Sequence, residues 1–185
     1  FNVARALVGS EGTCVTVLQA KTRLVKSPQG RVLLVLGYPD IYQAGDAVPS
    51  ILPFGPIAME GLDLRLIGGL RERGLRLDDI ALLPEGNAWI MVEFGADTRE
   101  LAAEQARGAM RELERKPSAP SMLLLEDPKL NLRVWTIRET AASATAMSNV
   151  PGEPDPIVGW EDAAVDPMRL GDYLREFQEL IDRHD

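Results

Sequence analysis

Between Arg31 and Glu126 the chain alternates short apolar runs with segments of helical period, and that order restricts the possible folds most. Arg31-Val-Leu-Leu-Val-Leu-Gly37 is a continuous apolar run of strand length, the pattern of a strand buried on both faces. Asp40 then stands as N-cap for a helix carrying Ile41, Ala44, Val48 and Ile51–Leu52 on one side, with Pro49 expected to kink it. Gly55-Pro56 ends that helix, and a strand follows from Ile57 to Glu60. Asp63 caps a short helix through Leu66, Ile67 and Leu70. Residues 71–86 are mostly charged or turn-forming and predict an excursion over the surface. Ala88 to Phe94 is the third strand, and Asp97, with Glu100 three residues on, opens a helix. Its apolar stripe is Ala102, Ala106, Ala109, Met110 and Leu113, Lys116-Pro117 stops it, and Ser121 to Glu126 is the fourth strand.

The resulting order, β-α-β-(α)-β-α-β, is that of an α+β, ferredoxin-like antiparallel sheet with both main helices on one face. A doubly wound parallel sheet would continue the alternation. Here it breaks into a long helix from Pro128 to about Met147, with Leu130, Val134, Ile137 and Ala141 in phase. Residues 148–159 hold Asn, Gly and three prolines and predict an irregular loop. Val158 to Val165 predicts a last short strand. Asp166-Pro167 then opens a helix whose face is Leu170, Tyr173, Leu174, Phe177 and Ile181. Upstream, residues 3–13 are rich in glycine and small polar residues, and an alternation from Thr13 to Val25 predicts a strand.

Composition removes several kinds of function. The chain has 28 acidic and 20 basic residues, a net charge of −8, which argues against nucleic acid or an anionic membrane as main partner. The single cysteine, Cys14, excludes an internal disulfide and a cysteine-built metal site, and is expected to be a small buried hydrophobe. The single histidine, His184, excludes a Ser-His-Asp triad or a two-His metal centre built from this chain alone. With no apolar run of 18 residues and no secretory leader pattern, a cytoplasmic protein is expected. The chain opens on Phe1 rather than Met, as a segment of something longer would.

Gly9-Ser10-Glu11-Gly12-Thr13 is the segment richest in chemical meaning. Closely spaced glycines let backbone N–H groups approach a phosphate or flavin ring; the same residues also make a tight turn stiffened by Ser10 and Thr13. No Gly-Lys-Ser/Thr follows, so it is not a P-loop, and the expected strand behind it excludes a dinucleotide fingerprint.

Arg5-Ala-Leu-Val-Gly-Ser-Glu-Gly-Thr13 with Ala20-Lys-Thr-Arg-Leu-Val25 resembles the closing part of the FAD-binding domain in FAD-linked oxidases of the vanillyl-alcohol oxidase type. The branch is that of glycolate oxidase and the D-lactate and D-2-hydroxyglutarate dehydrogenases. The likeness continues through Pro56-Ile-Ala-Met-Glu-Gly-Leu-Asp63, Trp135-Thr-Ile-Arg-Glu139 and Trp160-Glu-Asp-Ala-Ala-Val165, in the right order. It is greatest to the large forms with a C-terminal iron–sulfur domain. The resemblance implies an internal fragment with two parts: residues 1–28 close the FAD-binding domain with its last strand, and 29–185 belong to the substrate (cap) domain. It implies an FAD-dependent enzyme that oxidises a small 2-hydroxy acid by hydride transfer to flavin and passes electrons on, an iron–sulfur cluster being one acceptor.

Within that resemblance Gly9, Ser10, Glu11, Gly12 and Thr13 match the motif lying against bound FAD, although Cys14-Val15 replaces the usual Leu-Gly. Arg138 matches the arginine that reaches the substrate carboxylate, a bidentate task suited to guanidinium, with Trp135 one turn earlier to cover the cation. The alternative is a surface arginine paired with Glu139 or Glu126. Glu161 and Asp162 point to opposite faces of a strand and suit salt bridging, Trp160 stands where relatives carry a lysine, and Glu60 and Asp63 suit capping or packing. The family's His-x-Gly-Asp-Gly-Asn-x-His run lies downstream of a segment like 160–180, and its first FAD lobe lies upstream. In isolation the face meant for that lobe would favour a homodimer. Rival readings are a free-standing ferredoxin-like module, metabolite-binding or regulatory, and an acidic interaction module.

Overall fold

A computed structural model describes residues 1–144 and 164–184. Four strands, β1 (Gly30–Tyr38), β2 (Ala58–Asp63), β3 (Ala88–Ala96) and β4 (Ser121–Leu125), form one sheet. Its order is β2-β3-β1-β4, and every neighbouring pair is antiparallel. The central register sets Leu34 against Val92 on one side and Leu124 on the other. The helices are α1 (Val3–Gly9), α2 (Ile41–Ile51), α3 (Leu64–Glu72), α4 (Leu77–Ile80), α5 (Arg99–Glu114), α6 (Pro128–Ala144) and α7 (Leu170–His184).

Alternation along β1 divides the core. Val32, Leu34, Leu36 and Tyr38 join Ile90, Val92 and Phe94 under α2 and α5, so the two main helices do share a face. Leu33 and Val35 join Trp89, Met91 and Leu62 on the opposite face, under Ile67 and Leu70 of α3, Ile80 of α4, and Val134, Ile137 and Ala141 of α6. Helices on both sides leave neither face of β1 in water, which is why its sequence is continuously apolar.

The caps follow the sequence closely. Asp40 accepts from the Gln43 N–H at 2.8 Å, Asp63 from Leu66 N–H at 2.9 Å, and Asp166 from Met168 N–H at 2.9 Å. At α5 the cap is Thr98, accepting from Leu101 N–H at 3.3 Å; Asp97 pairs with Lys26 instead. α2 runs through Pro49 and tightens into a 3-10 turn over Leu52–Phe54.

Two further expectations need correction. Residues 15–28 form no strand: Val17, Leu18, Leu24 and Val25 are exposed, and the segment pairs with neither sheet edge. A strand needs a ladder partner for its N–H and C=O groups, and no such partner is supplied here. The stretch before it contains α1, which Asn2 caps by accepting from Arg5 N–H at 3.1 Å. The supposed surface excursion at 71–86 contains α4, whose Asp79 and Ile80 are buried. The loop at 148–159, and Val158 to Ala163 of the predicted last strand, lie outside the described residues; 164–166 belong to no element.

α7 docks on α2 at a crossing that only glycine permits. A Cβ on Gly45 would stand 2.9 Å from the Gly171 Cα, and one on Gly171 would stand 3.0 Å from the Asp46 N. Arg175 then grips Asp46 with both terminal nitrogens, one at 2.9 Å, and its guanidinium lies 5.8 Å from the Tyr42 ring centroid. Further along, Phe177 and Ile181 stay largely exposed, Phe177 stacking on Tyr173 at 5.9 Å. The hydrogen bond from Arg175 holds the Asp46 carboxyl below its ordinary 3.8. A lowered folded-state value means the bond's contribution is complete above the ordinary value and is lost as pH falls through the lowered one. Asp46→Asn is therefore expected to lower the melting temperature slightly at neutral pH, with the gap to the parent narrowing as pH falls below the carboxyl's ordinary 3.8. Thermal melts at pH 7 and pH 2.5 check this.

Candidate functional site

The glycine turn closes α1. Ser10 follows the helix, Glu11 and Gly12 take positive φ of 47° and 78°, and the chain reverses direction. The Ser10 hydroxyl donates to the Leu7 carbonyl at 2.8 Å, and the Thr13 hydroxyl to the Ser10 carbonyl at 2.6 Å. Both hydroxyl protons are thus spent on the turn itself. Nothing lies within 4 Å of a Cβ placed on Gly9 or Gly12. The Ser10, Glu11 and Thr13 N–H groups are likewise engaged, donating to the Ala6, Val8 and Ser10 carbonyls, so what the turn leaves open to a flat group such as a flavin is the bare surface at Gly9 and Gly12. Cys14 is exposed rather than buried, its Sγ 3.8 Å from the Thr13 Oγ1, because the segment that carries it packs on no core.

Arg138 is positioned by α6. Val134, Ile137 and Ala141 seat that helix on the sheet, and Arg138 follows Ile137 at the margin of the contact. Its Nε–H donates to Glu60 Oε2 at 3.2 Å, across from α6 to the edge strand β2. The partner is neither Glu139 nor Glu126, the latter pairing with Arg107. Trp135 packs against the second core cluster, and the cation–aromatic contact among the described residues is the one between Arg175 and Tyr42.

α6 is fixed lengthwise by a second ionic contact. Asp79 is 7% exposed; Arg133 Nε reaches it at 2.6 Å, and Arg76 Nη1 at 3.5 Å. Arg133 also donates to the Asp78 carbonyl at 3.1 Å, and Arg76 to Thr140 Oγ1 at 3.3 Å. Sequence reasoning missed both Asp79 and the pairing of Glu60. The signal for Glu60 was its place two residues before Leu62, which puts both on the sheet face that α6 covers. Asp63, by contrast, caps α3 as expected.

On the other face a cavity of about 230 Å³ opens between α2, the start of α7 and the β2–β3 edge, lined by Ile41, Val48, Met59, Ile90, Leu170 and other residues. The glycine turn and Arg138 are not brought together: α1 buries no residue, whereas Arg138 lies against the sheet. Trp160, Glu161 and Asp162 lie outside the described residues. Among the described residues no three His, Cys, Asp or Glu side chains are grouped to hold a metal ion.

The family model for FAD linked oxidases, C-terminal domain, matches residues 27–185. The chain belongs to this family. Its antiparallel sheet with flanking helices is the α+β architecture consistent with such a domain, so the fold expected from sequence stands. Relatives extend the match to the N-terminus. D-2-hydroxyglutarate dehydrogenase of Haemophilus influenzae is 26% identical over 100% of this chain and 19% of its own length. The protein of the same name from Escherichia coli is 24% identical over the same shares. The mitochondrial D-lactate dehydrogenase [cytochrome] of Arabidopsis thaliana is 24% identical over 76% of this chain and 24% of its own length. The chain thus spans about a fifth of the length of the first of these relatives.

Proposed function

We propose that these residues are part of an FAD-dependent oxidoreductase that oxidises a 2-hydroxy acid, with 1–28 closing the FAD-binding domain and 29–185 beginning the substrate (cap) domain. The observation that carries the proposal is the family match over 27–185, joined to relatives whose names specify 2-hydroxy acids and which match 76–100% of the chain. It favours this reading over a free-standing ferredoxin-like regulatory module.

FAD, when bound, supplies the hydride acceptor for the carbon that bears the substrate hydroxyl. The work assigned to this chain is binding and orientation. Gly9, Ser10, Glu11, Gly12 and Thr13 offer the exposed surface of their turn to the cofactor, the two glycines allowing close approach. Arg138 holds the substrate carboxylate through the end of its guanidinium, fixing the rotation of the adjacent carbon. With one cysteine, this chain cannot itself ligate an iron–sulfur cluster, so any such acceptor is held elsewhere in the protein. Exposed Val17, Leu18, Leu24 and Val25 suit a contact with the rest of the FAD-binding domain, or with a second copy when the chain is isolated. A cytoplasmic location is part of the same proposal; among the described residues no helix is long and apolar enough to cross a membrane.

The test is to purify the full-length protein that carries these residues and follow reduction of an artificial electron-accepting dye. D-2-hydroxyglutarate and D-lactate are the first substrates to try. The expected result is a protein with flavin absorbance that turns over at least one of them. A protein without flavin, or one that oxidises no 2-hydroxy acid, would defeat the proposal.

A further inference from the structure

We infer that Glu60 is a positioning residue that aims the Arg138 guanidinium, leaving its two-nitrogen end free for a carboxylate. This rests on the substrate-binding role proposed for Arg138 and adds to it the residue that sets its direction.

A guanidinium is a planar fork with a side, Nε–H and one Nη, and an end formed by Nη1 and Nη2. Glu60 accepts at Nε, 3.2 Å away, and among the described residues nothing else pairs with Arg138. The end of the fork is therefore available for two parallel hydrogen bonds, the geometry a carboxylate prefers. The other half of the argument is rigidity. Glu60 sits within β2, in register with Met91 of β3, on the same face as Leu62, which is 1% exposed. Arg138 is one residue beyond Ile137, which is fully buried. Two well-anchored backbones thus hold the ends of a contact between flexible side chains. The Arg138 and Glu60 side chains are 46% and 36% exposed, so water screens their mutual attraction. The contact's value lies in direction rather than in stability.

Direction and charge separate in two variants. Glu60→Gln keeps an oxygen that can accept from Nε–H, whereas Glu60→Ala removes the acceptor. In the full-length protein, Glu60→Ala is expected to raise KM for the 2-hydroxy acid about tenfold with kcat changed less than about twofold. Glu60→Gln should recover most of that loss. Calorimetric binding of oxalate, a carboxylate the enzyme cannot oxidise by hydride loss, should weaken in parallel for Glu60→Ala. The inference is overturned if Glu60→Ala leaves both KM and the oxalate Kd within twofold of the parent, or if Gln and Ala behave alike. Arg138→Ala separates the two levels. Should Arg138→Ala raise KM while Glu60→Ala does not, only the role of Glu60 falls. Should Arg138→Ala leave KM unchanged, or should the protein oxidise no 2-hydroxy acid, both roles fall.

Discussion

Replacing Phe94 with alanine is expected to remove about 3–5 kcal/mol of folding stability. Phe94 lies on β3, opposite Val32 in the register, and has no solvent-exposed surface. Its neighbours in the first cluster include Ala102, Ala103, Ala106 and Ala109, short side chains that bring α5 close to the sheet. None of these can extend to refill the space, so the lost transfer energy is joined by the energy of a cavity. Since a domain's total stability is about 5–15 kcal/mol, one substitution consumes a large part of it. Leu101→Ala, one position before that alanine face and half exposed, should change stability by less than about 0.5 kcal/mol. Urea unfolding distinguishes them: the Phe94→Ala midpoint drops while the slope stays constant.

Arg138→Lys should reduce kcat/KM for the 2-hydroxy acid by roughly 10- to 150-fold in the full-length enzyme, the equivalent of about 1.5–3 kcal/mol. The physical reason is the number of places a cation must be at once. Guanidinium gives Nε–H to Glu60 and presents two further nitrogens to a carboxylate. An ammonium is one point charge, and directed at Glu60 it no longer meets the substrate squarely. The melting temperature should hardly change, because the Arg138 side chain is 46% exposed and its ion pair is screened. Steady-state kinetics on the purified variant checks the prediction, and an unchanged kcat/KM removes Arg138 from the site.

The sheet and its helices were largely legible because local signals and burial agree there. The unbroken run at 32–36 requires cover on both faces, and α2, α5 and α6 each show an apolar stripe in phase with what they bury. Asp40, Asp63 and Asp166 were readable as caps because their side chains act three residues away or fewer. The segment from Thr13 to Val25 misled because alternation records a tendency to pair, whereas a strand exists only when a partner edge is present. α4 was missed since its four residues show too little period to distinguish from a charged turn, and only the tertiary contact of Asp79 with Arg133 reveals it. For the candidate site, Arg138 and the Gly9–Thr13 turn were visible through short motifs. Glu60 was visible only as a strand residue, because its partner stands 78 positions away and nothing local announces the pair.

The crossing of α7 over α2 bears on how the molecule is made. Arg175 and Asp46 are 129 positions apart, so their contact closes one of the longest loops in the chain. The seat for α7, formed by Tyr42, Gly45 and Asp46, takes shape only once α2 lies on β1 and β3. On a ribosome, β1 to β4 can meet before residues 170–184 emerge. During that interval the outer side of α2 is bare, and it stays bare until α7 arrives to cover it.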